Sequence, residues 1–250
     1  MSETAQKIHL IIKRQKDANS DPYTEEFLIP YRPNMNIISA LIEIQRNPVN
    51  AKGETTTPVV WESVCLEEVC GACSMVINGK PRQACSTLID KISQPIHLAP
   101  LTTFPVIRDL RVDRQRMFDA LKRVKAWVPI DGTYDLGAGP RMPEKTRQWA
   151  YELSKCMTCG CCLEACPNVN AKSKFIGPAA ISQVRLFNAH PTGAMHKEER
   201  LEALMGEGGI TSCGNSQNCV QVCPKGIPLT TSIAQVNRQV TLQSFRNFFG

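Results

Sequence analysis

The constraint that dominates this sequence is its cysteines: twelve in 250 residues, collected in three short groups at residues 65–85, 156–166 and 213–223. The opening residues, Met1-Ser2-Glu3-Thr4-Ala5, are polar and partly acidic, without the basic start and apolar stretch of a secretory signal. No apolar run approaches the ~18 residues that span a bilayer. The sequence is therefore expected to face the cytosol, where thiols stay reduced and disulfides are rare. Metal binding is then the leading use for so many thiols.

The groups sit in two differently patterned halves. In residues 7–14, Ile8, Leu10 and Ile12 alternate at strand spacing. Glu26 to Tyr31 reads as a second strand. Ile37, Leu41 and Ile44 recur at helical spacing, with Ile38 and Ile42 beside them. Asn78-Gly79 between apolar flanks signals a hairpin, because both residues tolerate positive φ. Strands and a helix in about one hundred residues predict a compact α+β domain over 1–107. Pro129, Gly132, Gly137, Gly139, Pro140 and Pro143 then punctuate a loop. The remainder, 108–250, reads as helical. Asp113 is a candidate cap for a helix carrying Met117, Leu121 and Val124. Pro143 suits the first turn of a helix toward Ser154. Further helices are expected over Ala180–Asn188, Lys197–Met205 and Thr230–Phe248.

Cys65-x4-Cys70-x2-Cys73, followed by Cys85 after eleven residues, is the plant-type ferredoxin spacing for a [2Fe–2S] cluster. Each iron needs tetrahedral sulfur, bridging sulfides supply half, and four thiolates must converge to supply the rest. Gly71 lets the loop turn tightly, and its backbone amides can donate to the sulfurs. A structural zinc site favours two paired knuckles, whereas this group holds one pair within a triplet.

Cys156-x2-Cys159-x2-Cys162-x3-Cys166-Pro167 is the bacterial ferredoxin run, in which the fourth cysteine ligates the other cluster of a pair. The second run is Cys213-x5-Cys219-x3-Cys223-Pro224, with Ser216 where the pattern calls for cysteine. Exchange assigns Cys156, Cys159, Cys162 and Cys223 to a [4Fe–4S] cluster and leaves Cys166, Cys213 and Cys219. A cubane lacking one ligand is poised to rest as [3Fe–4S], which predicts that cluster for the three. Cys161 is left over and reads as a small buried hydrophobe. His9, His97, His190 and His196 are dispersed without ligand spacing and read as structural or surface groups.

Other chemistry is missing from the pattern. The net charge of +6 is scattered, with no basic stripe or nucleic-acid motif, so no nucleic-acid partner is expected. Gly137-Ala138-Gly139 and Gly206-Glu207-Gly208-Gly209 lack the spacing of a nucleotide-binding fingerprint. No nucleophile–base arrangement appears, so no catalytic residue is assigned and bond-breaking falls to a partner.

The three motifs, in this order, resemble the iron–sulfur subunit family of succinate:quinone oxidoreductases, the succinate dehydrogenases and fumarate reductases. The likeness extends through Cys65-Leu66-Glu67-Glu68-Val69-Cys70-Gly71-Ala72-Cys73, Cys156 to Pro167, Lys174-Phe175-Ile176-Gly177-Pro178 and Cys223-Pro224-Lys225-Gly226. It implies a plant-type [2Fe–2S] ferredoxin domain of β-grasp fold followed by an all-helical bacterial-ferredoxin-like domain. It also implies a flavoprotein partner with FAD, where succinate is oxidised in the citric acid cycle, and a membrane anchor bearing haem b. Electrons would run from FAD through [2Fe–2S], [4Fe–4S] and [3Fe–4S] to quinone. Within the resemblance, Pro167, Asn168, Gly214 and Ser216 fall at the quinone site. Ubiquinone-using members carry tryptophan after the ligand matching Cys166 and histidine after that matching Cys213. This chain has Pro167-Asn168-Val169-Asn170-Ala171 and Gly214 instead. These segments, and the ending Ser244-Phe245-Arg246-Asn247-Phe248-Phe249, are similar to the Gram-positive branch, which implies menaquinone. The expected location is the cell membrane, peripheral on the cytoplasmic side through the anchor. Three rivals share parts of this pattern. A fumarate reductase uses the same parts. A free-standing carrier is usually smaller and acidic. Other multi-subunit oxidoreductases repeat full four-cysteine runs, which Ser216 breaks.

Overall fold

The computed structural model describes residues 6–128 and 141–249. The readings on Met1–Ala5, on Pro129 to Pro140 and on Gly137-Ala138-Gly139 lie outside these residues. The chain divides into two compact units. One is Met1–Arg114 together with Cys159–Glu164; the other is Gln115–Thr158 together with Ala165–Gly250.

In the first unit, β1 (Lys7–Arg14) pairs antiparallel with β2 (Tyr23–Pro30) and parallel with β5 (Ile96–Ala99). The hairpin of β3 (Ser74–Ile77) and β4 (Lys80–Gln83) turns on Asn78 and Gly79, both at positive φ, and completes a sheet of order β2-β1-β5-β3-β4. Strand β2 begins at Tyr23, three residues before the expected Glu26, because Tyr23 and Thr24 pair with Arg14 and Lys13. Ile8, Leu10 and Ile12 all point into the core, each fully buried. Burial of such side chains stabilises by about 1.5–3 kcal/mol each. The core closes with α1 (Ile37–Arg46), which buries Ile37, Ile38, Ala40, Leu41 and Ile44. Asn36 caps that helix by accepting from the Ser39 N–H at 2.8 Å. A short hairpin of β6 (Val106–Arg108) and β7 (Arg111–Val112) spans residue 107, in a segment whose runs are too short for periodicity to reveal.

The alternating face of β1 ends on a charge. Arg14 is 1% exposed, and its guanidinium donates to Asp109 at 2.9 and 3.2 Å and to Glu25 at 2.5 Å. Asp109 also accepts from the Gln15 and Val60 N–H groups. One carboxylate thus ties the end of β1, the 57–60 segment and the β6–β7 turn.

The second unit is helical among its described residues. It comprises α2 (Gln115–Arg123), α3 (Glu144–Ser154), α5 (Gly177–Ala189), α6 (Lys197–Met205), α7 (Asn218–Gln221) and α8 (Leu229–Phe249), α4 (Cys161–Glu164) falling in the first unit. Pro143 is the N-cap of α3, one residue outside the first turn where the sequence placed it. Helix α8 buries Leu229, Ser232, Val236, Val240 and Gln243, a stripe at three- and four-residue spacing. From α5 the guanidinium of Arg185 lies 4.2 Å above the Trp149 ring of α3. Among the described residues no helix is long and apolar enough to cross a membrane.

Candidate iron–sulfur centres

The first cysteine group is built on the β3–β4 hairpin. Register pairs Ser74 with Gln83, so Cys73 stands opposite Ala84 just outside the ladder, with Cys85 the next residue along. The Ala84 N–H donates to the Cys73 carbonyl at 3.1 Å, and the Cys85 N–H to Cys73 Sγ at 3.5 Å. Asn36 steadies the same arm, donating through Nδ2 to the Cys85 carbonyl at 2.8 Å. The other two cysteines lie on a loop that turns through positive φ at Leu66, Glu68 and Gly71. Left-handed backbone at non-glycine residues costs of order 1–3 kcal/mol each. Here it turns three N–H groups, of Glu67, Val69 and Cys70, onto Cys65 Sγ at 3.3–3.4 Å, and that of Ala72 onto Cys70 Sγ at 3.4 Å.

These amides set the charge state. The N–H groups of Glu67, Val69 and Cys70 bring the Cys65 thiol down to about 6, so it is held as thiolate near neutrality. Burial pushes Cys73 up to about 12. A negatively charged ligand set needs N–H donors of this kind, and an iron cluster supplies the positive charge that Cys73 lacks. The cradle therefore fits a [2Fe–2S] group held by Cys65, Cys70, Cys73 and Cys85.

Cys159, Cys161 and Cys162 belong to the first unit. Thr158 and Gly160 are both at positive φ, which presents Cys159 ahead of the short helix α4. A Cβ on Gly160 would lie 3.1 Å from the Phe104 ring, so glycine lets the segment sit close to Leu101 and Phe104. Glu164 anchors its far end, accepting from the Thr102 and Thr103 hydroxyls at 2.7 and 2.9 Å. Arg114 donates to the Gly71 carbonyl at 2.6 Å. The hydrogen bond from Cys161 brings Cys159 down to about 7, and the positive charge of Arg114 adds to it. Cys161 itself is pushed strongly up by that bond and by burial. It is fully buried, as expected of the leftover cysteine.

The second unit holds the remaining cysteines. Cys166, Cys213 and Cys219 come together: burial raises Cys166 and Cys219, and each is raised further by the charge of its neighbours in the trio. Two asparagines stitch the trio. Asn168 Nδ2 donates to the Ser212 carbonyl at 2.8 Å, and Asn218 Nδ2 to the Ala165 carbonyl at 3.0 Å. Arg116 clamps the loop that follows, donating to the carbonyls of Asn170, Ser173 and Phe175. Cys223 Sγ accepts from the Ile227 N–H at 3.4 Å, and Cys156 is part-buried after α3.

Of the residues placed at the quinone site, Asn168 and Gly214 are adjacent; a Cβ on Gly214 would lie 3.0 Å from Asn168 Oδ1. Pro167 and Ser216 are exposed, Ser216 between the positive-φ residues Asn215 and Gln217. Sequence reasoning did not single out Asn36, Arg114, Arg116 or Asn218. The available signal was an asparagine beside a cysteine, as at Asn218-Cys219.

Among the described residues no three His, Cys, Asp or Glu side chains converge on one point as a single ion would require. Cluster ligands answer a different geometry, because the thiolates are shared out among two or more irons and ring a volume rather than a point. When bound, such clusters supply one-electron carriers.

Two family models match the chain: a 2Fe-2S iron-sulfur cluster binding domain over residues 9–119 and a 4Fe-4S dicluster domain over residues 152–227. The chain is 77% identical to the succinate dehydrogenase iron-sulfur subunit of Bacillus subtilis, over 97% of this chain and 96% of that one. It is 32% identical to the fumarate reductase iron-sulfur subunit of Wolinella succinogenes, over 90% and 92%. Among solved structures, a chain of the Mycobacterium smegmatis Sdh1 complex in the apo form superposes with a TM-score of 0.78 at 23% identity, covering 97% and 98%.

Proposed function

The chain belongs to the family of succinate dehydrogenase and fumarate reductase iron–sulfur subunits, and on that premise we propose how its residues carry electrons. It is the electron-transfer subunit of a succinate:quinone oxidoreductase, holding [2Fe–2S], [4Fe–4S] and [3Fe–4S] clusters and working with a flavoprotein and a membrane anchor. Residues 1–107 carry the [2Fe–2S] cluster on Cys65, Cys70, Cys73 and Cys85. Residues 108–250 carry the [4Fe–4S] cluster on Cys156, Cys159, Cys162 and Cys223 and the [3Fe–4S] cluster on Cys166, Cys213 and Cys219. The observation that carries this reading is the donor set around the thiols. N–H groups turned onto Cys65 and Cys70 suit a charged sulfur cluster, and the Cys166 trio ends at Ser216, which leaves its fourth corner without a thiolate.

Succinate is oxidised on the flavoprotein, whose FAD delivers the electrons; this chain receives, stores and forwards them one at a time. Exposed Val64, Leu66 and Val69 give the [2Fe–2S] loop an apolar rim for a docking donor. Exposed Leu242, Phe245, Phe248 and Phe249 give α8 an apolar end for the anchor. The chain is peripheral to the membrane, and we place it on the cytoplasmic side. The anchor carries haem b, and the quinone is menaquinone, received beside Pro167, Asn168, Gly214 and Ser216. The segment after Cys166 and Gly214 after Cys213, without tryptophan or histidine, support that choice.

Purified complex tests the reading directly. Iron and sulfide analysis with electron paramagnetic resonance should give nine irons per chain in this subunit and three distinct signals. Two [4Fe–4S] signals with no three-iron signal under anaerobic isolation would overturn the ligand assignment. Efficient reduction of a ubiquinone analogue with almost none of a menaquinone analogue would overturn the quinone.

A further inference from the structure

The bend between Cys70 and Cys73 contains one peptide group with partners at both ends, the one joining Gly71 to Ala72. Gly71 is at positive φ, which sets the plane of that peptide. Its N–H, on Ala72, donates to Cys70 Sγ at 3.4 Å. Its C=O, on Gly71, accepts from Arg114 Nη1 at 2.6 Å and from Ser74 Oγ at 2.8 Å. These residues all belong to the first unit.

Arg114 is held firmly for this task. Its side chain is 18% exposed, and its Nη2 donates to Glu62 Oε2 at 3.4 Å. The other oxygen of Glu62 takes Arg111 Nε at 3.0 Å. A guanidinium stays charged in proteins, so its bond to Gly71 is charge-assisted, and such bonds are roughly twice as strong as neutral ones. A donor of that strength draws electron density from the carbonyl and makes the N–H at the far end of the same peptide a stronger donor, because hydrogen bonds in a chain polarise one another. The Ala72 N–H delivers that polarisation to Cys70. No proton changes place: the arginine keeps its charge, and the sulfur only accepts.

We propose that Arg114 is a positioning residue for the [2Fe–2S] centre: by donating to the Gly71 carbonyl it fixes and polarises the Gly71–Ala72 peptide, whose N–H donates to Cys70, and so raises the cluster's reduction potential. Reduction adds negative charge, and a stronger N–H on a ligand sulfur favours the reduced form. The positive charge of Arg114 also reaches Cys159, a [4Fe–4S] ligand in the reading above, but through space and without a peptide between them. The inference rests on the assignment of Cys70 to the [2Fe–2S] cluster.

The test is a redox titration of the purified complex, followed by electron paramagnetic resonance. Arg114→Met keeps an aliphatic stem and removes both charge and donor. The reduced-to-oxidised ratio of the [2Fe–2S] cluster at the wild-type midpoint should then fall about tenfold, ~59 mV for a one-electron couple. The [4Fe–4S] midpoint should move less in the same direction, and the [3Fe–4S] midpoint, whose ligands all belong to the second unit, should stay in place. Arg114→Lys restores a charged donor and should hold the ratio within about twofold of wild type. Glu62→Gln removes the negative charge beside the guanidinium and should shift the [2Fe–2S] midpoint the other way, upward. An unchanged [2Fe–2S] midpoint in Arg114→Met, a shift in Arg114→Lys as large as in Arg114→Met, or equal shifts of all three clusters would overturn the proposal. Should Arg114→Met fail to load its cluster, Glu62→Gln decides: a [2Fe–2S] midpoint that stays or falls overturns the proposal, and a rise supports it. A wild-type complex without a [2Fe–2S] signal would overturn the ligand assignment and this inference with it; a normal wild-type signal with unshifted variants overturns the inference only.

Discussion

At the scale of the residue, single backbone conformations decide whether a thiol reaches its place. Gly160 is the sharpest case: its φ is +89°, and an added Cβ would meet Phe104 at 3.1 and 3.2 Å and Leu101 at 3.4 Å. Gly160→Ala combines left-handed strain with that crowding, a cost of about 1–3 kcal/mol. The expected outcome is loss of more than half of the [4Fe–4S] signal with the [2Fe–2S] signal kept, read by iron analysis and spin quantitation of purified complex. Equal retention of both signals would show that the segment relaxes around the methyl group. Ser216 works by the opposite logic. It lies exposed between two left-handed residues, so nothing in its packing demands serine there; in the proposed ligand assignment its identity matters through the thiolate it does not supply.

At the scale of the element, asparagine amides hold ligand segments that no regular secondary structure joins. Asn168 reaches the Ser212 carbonyl and Asn218 the Ala165 carbonyl, so Cys166 is tied towards both Cys213 and Cys219. Removing one such bond costs about 1 kcal/mol net, more where the carbonyl is left unsatisfied. Asn168→Ala should lower the three-iron signal amplitude and leave the other two unchanged in the same spectrum; a uniform loss of all three would point to general unfolding. Much of the architecture was legible beforehand. Strand β1 shows itself by Ile8, Leu10 and Ile12, the hairpin by Asn78-Gly79, and α6 spans the expected Lys197–Met205. The cysteine spacings point to clusters, and the family comparisons support those cofactors. Strands β6 and β7 and helices α4 and α7 were not legible, because two to four residues carry no period. Gln83 and Arg14 were illegible for another reason. Each finds partners across 78 and 95 residues of sequence, and local pattern says nothing of such pairs.

At the scale of the whole molecule, a buried polar hub ties distant segments together beside the apolar core. Arg14 is its centre: its charge neutralises Asp109 and Glu25, whose side chains are 2% and 11% exposed. Arg14→Met removes the cation and leaves two buried carboxylates unpaired, a loss of about 3–5 kcal/mol. The denaturant midpoint should fall accordingly, and Arg14→Met/Asp109→Leu should recover part of it; an unfolding free energy within ~0.5 kcal/mol of wild type in the single variant would refute the hub. The first unit has one more property of this size, its discontinuity: Cys159–Glu164 joins a fold whose other residues end at Arg114. A ribosome adding ~5–20 residues per second needs roughly 2–9 s to make the forty-four residues between them. Throughout that interval Leu101 and Phe104 wait for Gly160, Thr102 and Thr103 wait for Glu164, and Gln83 waits for Cys161. Until then the nascent unit lacks on its Cys73 side the partners that its final six residues supply.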